Sequence, residues 1–157
     1  MSTEKTRETL NELLVKLFNY ILYIEERNLK AKGISLTMSE VHLLENVRNA
    51  KNNNMSSIAA NMMITKGTLS VNSAKLIKKG YLEKYKDEGD KRISRIKITD
   101  KALDVLAIHD EFHEELIDKA VEGLNPRDAE IFNNSIESIL LYFRRLYRNH
   151  YIQDDLK

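Results

Sequence analysis

The chain holds almost nothing that would interrupt a helix: one proline and five glycines in 157 residues. Proline and glycine are the strongest local breakers of regular backbone, so their scarcity favours long helices joined by short loops. Leu10, Leu13, Leu14, Leu17, Ile21 and Ile24 recur at helical spacing. They predict a first helix over about residues 5–30, with Gly33 as its stop. Phe18 and Leu22 widen the apolar stripe beyond what one neighbour needs, so a second surface, another subunit, is expected to cover them.

Thr37-Met38-Ser39-Glu40 reads as a capping box opening a helix with Val41, Leu43, Leu44 and Val47, which the polar run Lys51-Asn52-Asn53-Asn54 ends. Ser56 is placed to cap a short third helix through Ile58, Ala59 and Met62. Thr65 is placed to cap a fourth from Lys66 to Lys79, with Gly80 as its stop. After Gly80 the period changes. Residues 81–86 read as a strand, Asp87-Glu88-Gly89-Asp90 as a turn, and Ser94, Ile96 and Ile98 alternate with Arg95 and Lys97 on a returning strand. Thr99 is the expected cap of a fifth helix bearing Ala102, Leu106, Phe112, Leu116, Ala120 and Val121. Asn125-Pro126 opens a last one with Phe132, Ile136, Ile139, Leu140, Phe143 and Leu146.

The expected fold is therefore mainly α with one small β-hairpin, a winged helix-turn-helix. Residues 1–157 read as one regulator, with 36–100 as a nucleic-acid-binding lobe and 1–35 and 101–157 as helices that form a dimerisation region. No apolar run approaches the roughly 20 residues that cross a bilayer. Met1-Ser2-Thr3-Glu4-Lys5 lacks the basic-then-apolar order of a secretion signal, so a cytoplasmic protein without a membrane partner is expected. With no cysteine, disulfides, thiolate metal sites and thiol-based sensing are all excluded.

A net charge of +1 hides a segregation. Residues 65–97 carry ten bases against four acids, and the rest of the chain fifteen against twenty. A basic block in an acidic body is the footprint of a polyanion-binding element. In a helix-turn-helix the second helix enters the major groove by its N-terminus. Here that helix opens with Thr65, Lys66, Gly67, Thr68, Leu69, Ser70 and Asn72, short side chains that reach base edges or phosphates, with Gly67 permitting close backbone approach. Lys75 is placed for a phosphate. Lys91 and Arg92, at the hairpin tip, suit an adjacent minor groove, the bland alternative for Arg92 being an ion pair with Asp87 or Asp90. A two-fold dimer presents two such helices to a pseudo-palindromic duplex site.

Three blocks carry a family resemblance: Ile64-Thr65-Lys66-Gly67-Thr68-Leu69-Ser70, Leu76-Ile77-Lys78-Lys79-Gly80-Tyr81-Leu82, and Asp90-Lys91-Arg92 leading to Ile98-Thr99. With them the chain resembles the MarR family of bacterial regulators over essentially its whole length. Lys91 stands where the family's wing usually has the first of two arginines. Residues 24–30 (Ile-Glu-Glu-Arg-Asn-Leu-Lys), Ser39-Glu40-Val41-His42 and His109-Asp110-Glu111-Phe112-His113 are similar to the FabT-type repressors of fatty-acid synthesis genes. That resemblance implies long-chain acyl-acyl-carrier-protein as effector, its acyl chain in an apolar pocket with Leu17, Ile21, Leu44 and Phe112 as candidate walls. Ordinary core is the alternative role for those four. Arg144, Arg145 and Arg148 would dock the acidic carrier protein, or simply form a solvated face.

His109 and His113, four apart, share a helix face, and His42 sits on another helix. With Glu25 or Glu26 they can make a first-row metal site, zinc above all, as in zinc-responsive repressors that this chain resembles in its histidines. The other reading is a hydrogen-bonded joint between lobes. His109-Asp110-Glu111-Phe112-His113 lacks the glutamate directly after the first histidine that a zinc protease helix needs as general base. No Gly-rich phosphate loop or nucleophile–base pair stands out, so neither an enzyme nor a resident cofactor is expected.

Overall fold

A computed structural model describes residues 3–154, with side chains described for 3–148. Met1 and Ser2, part of the run on which the secretion reading rests, lie outside the described residues, as do 155–157. The helices are α1 (Thr3–Ala31), α2 (Met38–Asn49), α3 (Met55–Asn61), α4 (Lys66–Lys78), α5 (Asp100–Val121) and α6 (Pro126–Asp154). Between α4 and α5 lies a hairpin of β1 (Leu82–Lys86) and β2 (Ser94–Ile98). The strands are antiparallel, Leu82 facing Ile98 and Lys86 facing Ser94. This is a winged helix-turn-helix, mainly α, as the residue pattern requires. No helix among the described residues is long and apolar enough to cross a membrane.

Local chemistry sets the boundaries. The capping box forms as drawn: Thr37 Oγ1 accepts from the Glu40 amide at 3.3 Å, and the Glu40 carboxylate accepts from the Thr37 amide at 3.0 Å. At the end of α4 the Gly80 amide bonds the Ile77 carbonyl and the Tyr81 amide the Leu76 carbonyl. Gly80 takes φ +79°, the left-handed turn that this closure requires. The same closure ends α3, where Met63 and Ile64 donate to Ala60 and Ala59. There a methionine occupies the left-handed position, at φ 56°, a local strain of about 1 kcal/mol that glycine would avoid. Asn125 caps α6 by accepting from the Arg127 and Asp128 amides, both at 3.0 Å.

Two caps differ from expectation. Asn54, not Ser56, caps α3, its Oδ1 accepting from the Ser57 amide at 2.8 Å; Ser56 falls inside the first turn. The Thr99 hydroxyl turns away from α5 and donates to the Gly80 carbonyl at 2.8 Å, tying the end of the wing to the end of α4.

The chain divides into two compact units, Met1–His113 and Glu114–Lys157. In the first, the core joins every element: Leu43 and Leu44 of α2, Ile58 of α3, Leu69 and Leu76 of α4, Leu82 and Ile96 of the wing, and Leu106 of α5 are all under 2% exposed. Leu29 near the end of α1 joins them. The first two-thirds of α1 stays bare, with Leu14 59% and Phe18 63% exposed. In the second unit Ile131, Leu141, Tyr142 and Phe143 of α6 are each about half exposed. Apolar faces this wide are unusual on a chain that acts alone.

Ion pairs stitch the first unit at its edges. Lys79 Nζ lies 2.7 Å from Glu40 Oε1, joining the end of α4 to the start of α2. Arg48 grips Asp110 through two bonds of 2.6 and 2.8 Å, joining α2 to α5. Burial pushes the Glu40 carboxyl up, but the Lys79 ammonium and the Thr37 amide outweigh it, and the group rests below its ordinary value. Asp110 is likewise held down, chiefly by its hydrogen bond to Arg48. Carboxyls depressed in the folded state stabilise it above their ordinary range near pH 4 and lose that contribution as pH falls through it. Urea midpoints are therefore expected to drop steadily below about pH 4.5. Glu40→Gln should lower the midpoint at pH 7 and flatten the acid limb.

Candidate nucleic-acid interface

α4 is amphipathic in a way that sorts its residues by role. Leu69, Ser73 and Leu76, at i, i+4 and i+7, form its buried stripe. Thr65, Lys66, Gly67, Thr68, Ser70 and Lys75 are exposed, and Asn72 is half-buried at the edge. Leu69, one of the residues expected to touch a duplex, is 0% exposed; it pins the helix to the core and is not a contact residue. Val71, 58% exposed on the outward face, is a contact candidate that the residue pattern did not single out. An apolar side chain there suits a thymine methyl.

The opening of α4 is ordered by its own side chains. Thr65 Oγ1 accepts from the Thr68 amide at 3.1 Å and shares a hydrogen bond of 2.9 Å with the Thr68 hydroxyl. A Cβ built on Gly67 would meet only Thr65 Oγ1, at an ordinary 3.7 Å. Nothing inside the protein requires glycine at that position, so the missing side chain clears space on the outside.

Of the ten bases in 65–97, the structure neutralises some and leaves others. Lys79 pairs with Glu40, Arg92 with Asp90, Arg95 with Asp87 and Lys97 with Glu83. Lys66, Lys75, Lys78, Lys84 and Lys91 have no ion-pair partner among the described residues, and all five are exposed. Arg92 makes its ion pair with Asp90 and not Asp87: Nε bonds Oδ1 at 3.0 Å and Nη2 bonds Oδ2 at 3.1 Å. Its side chain is still 92% exposed at the hairpin tip, so the pair aims the guanidinium without hiding it.

Asp87 is the keystone of the wing turn. Its Oδ1 accepts from the Gly89 and Asp90 amides at 3.0 Å each, and its Oδ2 from Arg95 Nε. The Arg95 hydrogen bond is the main reason this carboxyl sits below its ordinary range. Arg95 Nη1 reaches on to Asn52 Oδ1 at 2.8 Å and Asn53 Oδ1 at 3.1 Å. Asn53 also donates to the Tyr85 hydroxyl at 2.8 Å, and its carbonyl accepts from the Ile96 amide. The polar run 51–54, read from sequence only as a helix end, is thus the strap that fixes the wing to the loop between α2 and α3. Spacing gave no hint of it, because these partners are about 40 residues apart.

The histidines gather at the root of α1. His109 Nδ1 and Glu25 Oε1 lie 2.6 Å apart, both side chains nearly fully buried. His113 Nε2 lies 3.6 Å from the same carboxylate oxygen. The His42 ring stands edge-on to His109 at 5.5 Å. Burial, reinforced by the charge of His109, holds His42 below its ordinary value. Of the two candidate carboxylates, Glu25 enters the cluster; Glu26 does not.

The four candidate acyl walls do not converge. Leu44 is 0% exposed in the core, so it is packing and no pocket wall. Leu17 and Ile21 are half-buried on α1. Phe112 alone lines the cavity at the root of α1, with Glu25, Asn28, Leu29, Ile108 and His109, and that cavity has a volume of only about 10 Å³. Small-ligand pockets start at roughly 300 Å³. Arg144, Arg145 and Arg148 are exposed on α6.

Residues 36–94, from the start of α2 through the wing turn, match the profile of the MarR family. That match covers a little over a third of the chain. Over 95% of its length it is 28% identical to YhjH, an uncharacterized HTH-type transcriptional regulator of Bacillus subtilis strain 168, covering 88% of that protein. Over 68% of its length it is 32% identical to the HTH-type transcriptional regulator Hpr of Bacillus mycoides strain KBAB4, of which it spans about half, 51%. Among solved structures it matches Streptococcus pneumoniae FabT in complex with DNA at TM-score 0.80 and 25% identity, over 89% of this chain and 99% of that one. The matched stretch holds α2, α3, α4, the first strand of the wing and its turn.

In this wing, Arg95→Gln removes the bridge from Asp87 to Asn52 and Asn53. Amide exchange at Gly89, Asp90 and Ile96 is expected to quicken roughly tenfold, while amides of the buried stretch of α2 keep wild-type rates. Equal protection in the variant would mean that the strap does not hold the wing.

Proposed function

We propose that this chain is a homodimeric repressor that binds a pseudo-palindromic duplex, with α4 in the major groove and the wing tip beside it. The observation that carries the reading is the outward face of α4. Its first turn is hydroxyl-rich and self-ordered, glycine stands where only the outside needs room, and the cations Lys66, Lys75 and Lys91 are unpaired around it. Small donors at a helix N-terminus suit base edges and phosphates, and unpaired lysines gain most by releasing counterions from the duplex. The likeness to FabT bound to DNA supports the same docking. The bare apolar faces of α1 and α6 support a second copy as the other half of the reader.

The FabT-type resemblance carries the finer part of the proposal: the regulated genes are those of fatty-acid synthesis, in the cytoplasm, and the effector is a long-chain acyl-acyl-carrier-protein. The cavity of about 10 Å³ at the root of α1 is too small for a long acyl chain within one copy. On this reading the chain lies against the exposed apolar side of α1, which the second copy roofs over, and the arginines of α6 meet the carrier's acidic surface.

Fluorescence anisotropy with a labelled palindromic fragment from the upstream region tests both levels. Affinity is expected to fall steeply with salt and to drop about tenfold in Gly67→Ala, whose melting temperature should hold or rise, because alanine favours the helix by ~1 kcal/mol. Acylated carrier protein should tighten the complex. Loss of affinity that tracks loss of stability in Gly67→Ala would remove the groove assignment. An unchanged isotherm at every acyl length would remove the lipid effector alone.

A further inference from the structure

Two polar atoms at the root of α1 are left without hydrogen-bond partners in a place where water does not reach: Glu25 Oε2 and His109 Nε2. Both side chains are at least 97% buried, at 3% and 2% exposure. A purely structural histidine–carboxylate pair would have its remaining lone pairs satisfied, since an unmet buried polar atom is costly. His109 Nε2 is 3.6 Å from Glu45 Oε2, beyond hydrogen-bond reach.

Donor atoms of Glu25, His109 and His113 all lie within 4.8 Å of one another. We infer that these three residues form a binding site for a first-row divalent cation of the zinc type. Ligand bonds of about 2.0–2.2 Å around a tetrahedral ion put donor atoms roughly 3.3–3.6 Å apart. His113 Nε2 and Glu25 Oε1 already stand at 3.6 Å. His109 Nδ1 and Glu25 Oε1, at 2.6 Å, are held closer than that by their shared proton. The cation takes the Nδ1 lone pair, the ring's proton sits on Nε2 on the side of Glu45, and the Glu25 carboxylate relaxes to ligand spacing. Two imidazoles and one carboxylate, without thiolate, select zinc-like ions over magnesium and calcium, which prefer all-oxygen shells. His113, with 41% of its side chain exposed, gives the ion its way in.

The inference is independent of the DNA reading and is tested without DNA. The full-length protein, stripped by a chelator, is titrated with Zn²⁺ against a chromophoric competitor, and with Co²⁺ by visible absorption. One ion per chain is expected, unaffected by millimolar Mg²⁺. His113→Gln and Glu25→Gln should each weaken binding by about tenfold or more, while Glu26→Gln, one residue along α1, binds like the wild type. Should Glu25→Gln fail to fold, His113→Gln decides the matter, because that side chain is half-exposed and its loss leaves the core intact. Absence of competition by the wild type, or wild-type affinity in His113→Gln, overturns the site and leaves a hydrogen-bonded joint.

Discussion

Everything that can meet a duplex in this molecule depends on the burial of one stripe of α4. Leu69, Ser73 and Leu76 sink into a core shared by α2, α3, the wing and α5. Truncating a leucine in such a place costs about 2–5 kcal/mol, a large share of what a domain of this size has to spare. The helical period then leaves no choice about the rest. With that stripe inward, Thr65, Lys66, Gly67, Thr68, Ser70, Val71 and Lys75 stand outward together. The reading face is a consequence of packing.

The wing needs a second kind of constraint, because a two-stranded hairpin has little stability of its own. Leu82 and Ile96 root it in the core, and polar groups set its attitude. Arg95 binds the turn through Asp87 and the loop through Asn52 and Asn53, so tip and base move as one piece. Charge is divided accordingly. Arg95 is spent on structure, half-buried, while Arg92 and Lys91 stay at the tip in solvent. Formal net charge cannot make that division; the contacts of each side chain do.

This also explains what was legible in the residues and what was not. The capping box at Thr37, the Gly80 stop and the Asn125-Pro126 start follow from contacts within five residues, and the hairpin from alternation on either side of a turn; local pattern carries that information. Assignments that failed or were missed rest on longer range. Leu69 lies in the block expected to meet a duplex, yet its angular position on the helix turns it inward. Ser56 and Thr99 have capping chemistry, but Asn54 begins the helix earlier and the Gly80 carbonyl claims the Thr99 hydroxyl. Asn52 and Asn53 looked like a polar spacer because Arg95 and Tyr85 are distant in sequence. For the histidines, spacing paired His109 with His113, and the fold alone chose Glu25 over its neighbour.

The mechanical sense of the molecule lies in α1, a helix of 29 residues and roughly 43 Å. Its last turns are part of the winged lobe, through Leu29 in the core and Glu25 against His109 of α5. Its earlier turns present Leu10, Leu13, Leu14 and Phe18 to a second surface. In the dimer proposed above, a stiff rod sunk at one end and gripped by another copy at the other would fix the direction in which each lobe points, and hence the spacing of two reading helices along a duplex. The root is where the structure concentrates its unmet polar atoms and its small cavity. A ligand bound there would press on the contact of α1 with α5, and in the proposed dimer on both copies alike. A regulator built this way needs no contact between effector and nucleic acid.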